Sequence, residues 1–248
     1  MSGHSKWATI RRKKERTDAA RGKTFTKLIR EISAAARVGG GDETSNPRLR
    51  TAVLAAKAAN MPAANIDRAI KKGTGELPGT VYEEVVYEGY GPGGAALLIS
   101  TLTDNRNRTV SEIRHILGKR GGSMGETGSV NWMFERRGLI TVSAEKASED
   151  DLLELLLELG IDDIREEDRV FEIVCDPESI ETVKASLVEA QIEPVSAAVS
   201  MIPQSTVKVE GQQAVALLKL MEDLEDHDDV QEVYSNFDID EEIMKSAE

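Results

Sequence analysis

The sequence predicts an α+β fold with more than one domain. Residues 23–73 show helical periodicity, whereas short apolar and β-branched segments alternate with helical ones from residue 80 onwards. Within residues 137–203 the predicted order of elements is β-α-β-β-α-β, which is the order of ferredoxin-like domains. At 248 residues the chain is long enough for two or three cores of ordinary domain size.

The first predicted domain, residues 1–79, is a basic arm followed by three helices. Residues 23–38 predict an amphipathic helix with an apolar face and a basic face on its opposite side. The basic face consists of Lys23, Lys27, Arg30 and Arg37. Three consecutive glycines end this helix, Asn46 and Pro47 begin the second by the cap-then-proline rule, and Pro62 begins the third.

The second predicted domain is discontinuous and is an α/β domain. It comprises residues 80–136 and 204–248. Its predicted elements are strands at 81–90 and 95–103, a helix that ends at 119, a strand at 130–134, a strand near 207, a helix at 212–224 and a strand at 230–234. The last three have no sheet of their own, so they most economically complete the sheet that the hairpin begins. Residues 137–203 are therefore predicted to be a ferredoxin-like (βαββαβ) domain inserted in the second domain.

Charge is divided unevenly along the chain, although the whole has a net charge of −13. The first 80 residues contain 17 Lys and Arg against 7 Asp and Glu, while the remainder contains 14 against 37. A basic arm joined to an acidic body indicates a nucleic-acid or membrane-surface arm, and the clustered cations favour nucleic acid over a solubilising tail. Besides the basic face of the first helix, the predicted nucleic-acid-binding residues are Lys6, Trp7, Arg11, Arg12, Lys13, Lys14, Arg16 and Arg21.

Two further places are predicted to contact a phosphate or RNA. Arg106 and Arg108 lie at a predicted helix start, where free amides and arginines can hold an anion. The glycine-rich loop that follows this helix allows close approach to a backbone. The loop residues concerned are Gly121, Gly122, Ser123 and Gly125. A plain helix cap and a flexible connection are the alternative interpretations of these two places.

Two enzyme motifs occur in the wrong structural context. Residues 89–94 match the dinucleotide fingerprint GxGxxG, but a strand rather than a helix is predicted to follow. Residues 121–125 match GxSxG, with His227 downstream, but this serine is predicted to follow a helix and precede a strand, which is the reverse of a nucleophile elbow. We therefore predict no catalytic residue and no cofactor, and a serine hydrolase is the least favoured alternative.

The sequence also argues against a metal site. Cys175 is the single cysteine, so it cannot form an internal disulfide, and with three histidines it is poor material for zinc. The acidic run at 222–229 lacks the glycine and the spacing of a calcium loop and is predicted to be a solvated helix end. His115 is predicted to lie on or beside the packed face of its helix. We predict a cytoplasmic protein with no metal, no membrane partner and no small-molecule substrate.

Five blocks of sequence occur in a recognisable order. They are GHSKWATIRRKK at 3–14, KTFTKLIREI at 23–32, GGGDETSNPRLR at 39–50, YEGYGPGG at 87–94 and TDNRNRTVSEIRH at 103–115. These blocks resemble the YebC/PmpR family, whose relatives include the mitochondrial translational activator of cytochrome c oxidase. The resemblance implies a helical N-terminal domain and two α/β domains, the last inserted in the second. It also implies a cytoplasmic, non-catalytic regulator of gene expression.

The resemblance leaves two kinds of nucleic-acid partner open. One function is that of a transcriptional regulator that binds promoter DNA. The other is that of a ribosome-associated factor that binds ribosomal RNA or tRNA and assists synthesis of proline-rich stretches. The sequence shows no helix-turn-helix, zinc finger or zipper pattern, and an arginine-rich arm suits structured RNA, whereas the common family label favours DNA. A protein-binding adaptor that uses the acidic surface is a third class, and it predicts a dispensable arm.

Overall fold

The structure is a computed structural model that describes residues 18–167 and 169–246. It divides into two compact units, residues 1–131 with 206–248, and residues 132–205. The helices are α1 Asp18–Gly39, α2 Pro47–Ala58, α3 Ala63–Thr74, α4 Arg106–Lys119, α5 Glu149–Leu156, α6 Ile180–Glu189, α7 Gly211–Glu225 and α8 Glu241–Ser246. The strands are β1 Glu83–Tyr90, β2 Ala96–Thr103, β3 Ser123–Met124, β4 Phe134–Ser143, β5 Ile161–Glu167, β6 Val170–Cys175, β7 Ser196–Pro203, β8 Val207–Lys208, β9 Val230–Ser235 and β10 Phe237–Asp238. Across the described residues, none of the helices combines the length and apolarity that crossing a bilayer requires.

Helices α1 to α3 share one small core at the start of the first unit. Asn46 caps α2 by accepting a hydrogen bond from the Leu49 amide at 3.0 Å, and its own amide group donates to the Ala35 carbonyl at 2.9 Å. Helices α1 and α3 approach so closely that a β-carbon on Gly73 would collide with the Ser33 carbonyl oxygen, so this position requires glycine. The core side chains include Ile32, Ala36, Leu49, Val53, Ile66 and Ala69. Helix α1 begins five residues before the predicted start.

The first unit also contains a four-stranded antiparallel sheet in the order β3-β1-β2-β9. Strand β9 pairs with β2, so a strand from the end of the chain completes the sheet that the β1-β2 hairpin begins. Leu97 and Ile99 of β2 pack with Ile113 of α4 and Leu217 of α7 in the core beneath this sheet. The predicted fold class, with one α/β domain inserted in another, is confirmed.

Two strands of the first unit differ from the prediction. The strand at Val207 does not join the sheet but pairs in parallel with β10 as a separate two-stranded ribbon. The segment predicted as a strand at 130–134 begins as an irregular turn, because the Val130 and Asn131 amides donate to the side chain of Glu88 instead of to a neighbouring strand. The fourth strand is β3, which lies within the glycine-rich loop.

The second unit is an antiparallel sheet in the order β5-β6-β4-β7, with α5 and α6 packed on one face. Ile140, Val142 and Ile173 on that face contact the buried side chains of Leu156 and Leu187. Strand order and connection are those predicted for a βαββαβ domain. Strand β4 is longer than predicted, because it extends back to Phe134, opposite Pro203 of β7. The boundaries proposed for the three domains remain predictions.

Candidate nucleic-acid interface

The arm predicted to bind nucleic acid lies almost entirely outside the described residues. This applies to Lys6, Trp7, Arg11, Arg12, Lys13, Lys14 and Arg16. Arg21 lies in the first turns of α1, but its side chain is not among those described. The arm therefore joins the folded protein through α1, whose own cations the structure does place.

The basic face of α1 packs against the acidic end of α7. The Lys23 ammonium pairs with Asp226 at 2.8 Å, and the Lys27 ammonium donates to the Glu225 carbonyl oxygen at 2.6 Å. Arg30 pairs with Asp229 and also lies 5.5 Å from the centre of the Tyr82 ring. We predicted these three cations as a binding surface for nucleic acid, whereas they already have intramolecular partners. Arg37, near the end of the same helix, is exposed.

Asp229 is the centre of this contact. Its side chain is 2% exposed and accepts hydrogen bonds from Thr109 at 2.6 Å, from Arg108 at 2.7 Å and from Arg30. Burial alone would raise the pKa of Asp229, but these donors outweigh burial and hold the pKa well below its ordinary value. The prediction of a solvated helix end at 222–229 is therefore wrong for Asp229, and also for Glu225, which is buried. The sequence signal was the position of Asp229 directly before the apolar strand β9.

His227 lies beside Asp229 in an open cleft of about 860 Å³. Glu112, His227 and Asp229 place ligand atoms within 4.8 Å of one another. The Asp229 amide donates to Nδ1 of His227 at 3.1 Å, so Nε2 holds the proton and donates to Glu112 at 2.8 Å. Both ring nitrogens of His227 form hydrogen bonds, and Asp229 pairs with Arg30 and Arg108. The arrangement of Glu112, His227 and Asp229 is therefore that of a hydrogen-bond network rather than of a metal site. His115 is exposed in the same cleft and does not lie on the packed face, contrary to the prediction.

The two arginines predicted to hold an anion at the start of α4 differ in their surroundings. Arg108 pairs with Asp104 at 2.8 Å as well as with Asp229, so its guanidinium stabilises the fold. The Arg106 side chain is exposed. Asn105 caps α4 by accepting from the Arg108 amide at 3.1 Å, which is the plain-cap alternative.

Glu88 organises the glycine-rich loop. Its buried carboxylate accepts hydrogen bonds from the backbone amides of Gly128, Val130 and Asn131 at 2.6, 2.7 and 2.8 Å. Burial by itself would raise the pKa of Glu88, but these three bonds lower it below its ordinary value. Glu88 was missed from the sequence, because a glutamate within an alternating strand is normally a solvent-facing residue.

Packing within the first unit and backbone conformation account for three of the loop glycines. A β-carbon on Gly122 would lie 2.6 Å from the Tyr90 carbonyl oxygen, and one on Gly125 would collide with the Ser129 hydroxyl. Gly121 has a φ of +80°, which disfavours other residues although the space is open. Ser123 is exposed on β3, opposite Tyr90. Predicted contact of these residues with RNA remains a prediction, and packing alone accounts for Gly122 and Gly125.

Gly122→Val is accordingly expected to destabilise the first unit by about 1–3 kcal/mol through overpacking against the β1 backbone. Thermal melting of the variant measures this loss, and Thr127→Val, at an exposed position of the same loop, is the matched control. A Gly122→Val protein that melts like the wild type would show that the loop can move away from β1.

A second set of cations, not singled out from the sequence, lies on the other two helices of the helical domain. Arg50, Lys57, Arg68 and Lys72 are exposed on α2 and α3. The guanidinium of Arg50 donates to the Glu43 and Thr44 carbonyl oxygens, and Lys57 lies 3.6 Å from Glu43. Their spacings of seven and four residues place each pair on one side of its helix. The sequence contains these spacings, but they did not indicate a cationic surface because the amphipathic pattern of α2 is weak.

Comparison with known proteins gives consistent matches over nearly the whole chain. Residues 5–76 match the model of the TACO1/YebC protein N-terminal domain, and residues 82–237 match that of the TACO1/YebC second and third domain. A probable transcriptional regulatory protein of Koribacter versatilis is 57% identical over 241 residues, which cover 97% of each chain. One from Desulfotalea psychrophila is 54% identical over 246 residues, 99% of this chain and 98% of the relative. The crystal structure of a conserved hypothetical protein from Aquifex aeolicus has a TM-score of 0.81 at 49% identity and covers 92% of this chain and 94% of its own.

Proposed function

This chain belongs to the TACO1/YebC family, and from that premise we propose that it is a cytoplasmic, non-catalytic regulator of gene expression that binds the phosphate backbone of nucleic acid. Its relatives are named probable transcriptional regulatory proteins, which supports a regulatory role. The binding surface in this proposal combines the N-terminal arm with the exposed cations of α2 and α3.

One observation supports this surface above the predicted one: the distribution of acidic partners within the first unit. Lys23, Lys27 and Arg30 face the end of α7, so phosphate would have to displace Asp226 and Asp229 to reach them. Among the described residues, one of the four exposed cations on α2 and α3 forms an ion pair: Lys57 lies 3.6 Å from Glu43, and both side chains of that pair are exposed. We infer that these cations and the six Lys and Arg between residues 6 and 16 neutralise phosphates of the bound nucleic acid.

Removing the arm charges tests the proposal. In the variant Arg11→Ala, Arg12→Ala, Lys13→Ala, Lys14→Ala, the log–log dependence of the binding constant on salt is expected to become less steep by about 0.7–0.9 for each phosphate that the arm no longer neutralises. Replacing Arg50, Lys57, Arg68 and Lys72 by alanine is expected to have an effect of the same kind. Binding is measured by fluorescence anisotropy on labelled duplex DNA and structured RNA over a range of salt concentrations.

The matched control removes four exposed cations that lie elsewhere. They are Arg136, Lys146, Lys208 and Lys219. The control should keep the salt dependence of the wild type, although its net charge changes by the same amount. If the arm variant and the control behave alike, the arm is merely solubilising and the adaptor class gains support.

A second candidate within this proposal is a ribosome-associated factor that binds RNA. Helix α2 has no Asn or Gln, and α3 has only Asn65, which is half-buried. The exposed cations of these helices can contact the phosphates of either nucleic acid, and phosphate contact with shape recognition is how proteins bind structured RNA. Co-sedimentation with ribosomes and binding of promoter fragments in the presence of competitor DNA distinguish the two. Promoter binding that survives competitor and high salt would favour the transcriptional role.

A further inference from the structure

The two edges of the sheet in the second unit differ in their protection against further pairing. Strand β5 has a charged residue at five of its seven positions, and its register with β6 shifts between Ile161 and Asp163. Charges and irregular register are the usual devices that prevent an edge strand from pairing with another chain. Strand β7, at the opposite edge, has eight residues, pairs with β4 without a register shift and contains no charge, and its one pairing-blocking residue is Pro203 at its end.

The uncharged segment extends beyond β7 itself. No Asp, Glu, Lys or Arg occurs between Pro194 and Val207, in a chain in which 30% of residues are charged. Val199 in the strand is 38% exposed and Val195, just before it, is 55% exposed. An exposed, regular and uncharged edge strand is a surface to which another strand can be added.

The outer side of β7 offers backbone groups for such pairing as far as Met201, whereas Pro203 has no amide to donate. The Gln204 amide donates to the Met133 carbonyl in continuation of the β4-β7 ladder. Because the bonded pairs of an antiparallel ladder alternate, the amides of Val199 and Met201 point away from β4. Among the described residues no strand pairs with this side of β7.

We propose that this edge pairs with the same edge of a second copy of the chain, antiparallel about a two-fold axis at Val199. Such pairing joins two four-stranded sheets into one of eight strands. It places no charge opposite a like charge within 194–204, so two copies of this acidic chain can meet at this edge without direct repulsion between the paired strands. Helix α6, which contacts β7, carries another exposed apolar residue, Val188, at 55%.

The net charge of the second unit predicts how self-association depends on salt concentration. The second unit contains 18 Asp and Glu against 6 Lys and Arg, so two copies repel each other although their edges do not. Screening weakens that repulsion, and self-association is expected to strengthen as the salt concentration rises. Association driven by opposite charges would weaken instead.

Sedimentation equilibrium of the full chain tests the proposal. The weight-average mass is expected to rise from the monomer value of 27.1 kDa towards twice that value with concentration, and more steeply at high salt. Val199→Lys is expected to weaken the association about tenfold or more, because two lysines would face each other across the axis. Val199→Thr keeps a β-branched, uncharged side chain and should associate like the wild type.

A charge control at the other edge completes the design. Glu166→Gln on β5 changes the net charge in the same direction and by the same amount as Val199→Lys, and it should not weaken association. A monomer at every salt and protein concentration up to about 100 μM would overturn the proposal. So would a dimer that Val199→Lys leaves intact. If the chain stays monomeric but binds a labelled peptide of residues 194–205, the edge accepts a strand from another protein, and the second copy is the wrong occupant.

Discussion

Asp229→Ala is expected to lower the free energy of unfolding of the first unit by about 3–5 kcal/mol, which is the range for breaking a buried ion pair from one side. The substitution leaves Arg30, whose side chain is 14% exposed, without its counter-ion, and it removes one of the acceptors of the Thr109 hydroxyl, which also lies 3.1 Å from the Asn105 carbonyl oxygen. Urea unfolding followed by circular dichroism measures the loss. For a protein of this size, about 2–4 °C in melting temperature corresponds to each kcal/mol.

The control for this prediction is Asp226→Ala. Asp226 pairs with Lys23 in the same contact between α1 and the end of α7, but both side chains are largely exposed. Such a pair contributes about 1 kcal/mol or less. Equal losses for the two variants would contradict a central role for Asp229.

The lowered pKa of Asp229 also predicts how stability depends on pH. A carboxyl whose pKa is lower in the folded state stabilises the fold above its unfolded-state pKa of about 3.9, and this contribution is lost as the pH falls through the folded-state pKa. The wild type should therefore lose more stability than Asp229→Ala when the pH is lowered from about 5 to 2. Parallel pH profiles for the two proteins would show that other carboxyl groups dominate acid unfolding.

Glu88→Ala is expected to have the second largest effect, through the glycine-rich loop. The substitution leaves the amides of Gly128, Val130 and Asn131 without their acceptor, and an unsatisfied buried polar group costs about 1–3 kcal/mol. We expect the free energy of unfolding to fall by about 3 kcal/mol in total, and not by the full cost of three unsatisfied groups, because water can accept hydrogen bonds from some of these amides. Hydrogen exchange followed by NMR should show faster exchange of these three amides than of the β2 amides.

Glu126→Ala is the matched control, since its side chain is exposed in the same loop. It should change neither melting nor exchange at Val130. If Glu88→Ala leaves the three amides protected, the loop is held by β3 pairing and not by the carboxylate.

The fold class was predictable because its signals are local or additive. Helical periodicity indicated α1 to α3, and the strand-helix-strand at the end of the chain had no sheet of its own, which predicted that β9 completes the hairpin sheet. The two-residue strand β3 gave no such signal, because it forms only where Gly89 and Tyr90 lie opposite. Periodicity also could not show that Phe134 begins a strand of the inserted domain.

The candidate site was less predictable, because it depends on contacts between distant parts of the sequence. The cations of α1 form a convincing basic face when α1 is considered alone, and only the fold shows that Asp226 and Asp229 lie against them. Glu88 was missed for the same reason, since its three partners lie 40 or more residues away. The arm and loop residues that we predicted to bind nucleic acid remain predictions.

The contact between Arg30 and Asp229 joins residues 199 positions apart in the sequence. A ribosome therefore completes α1 long before it makes the acidic segment that covers the basic face of this helix. Throughout most of synthesis the nascent chain displays Lys23, Lys27 and Arg30 beside the RNA of the ribosome that is producing it. A chain that terminates before Asp229 should accordingly adhere to polyanions more strongly than the finished protein, so that completion of the C-terminal strand itself limits non-specific binding.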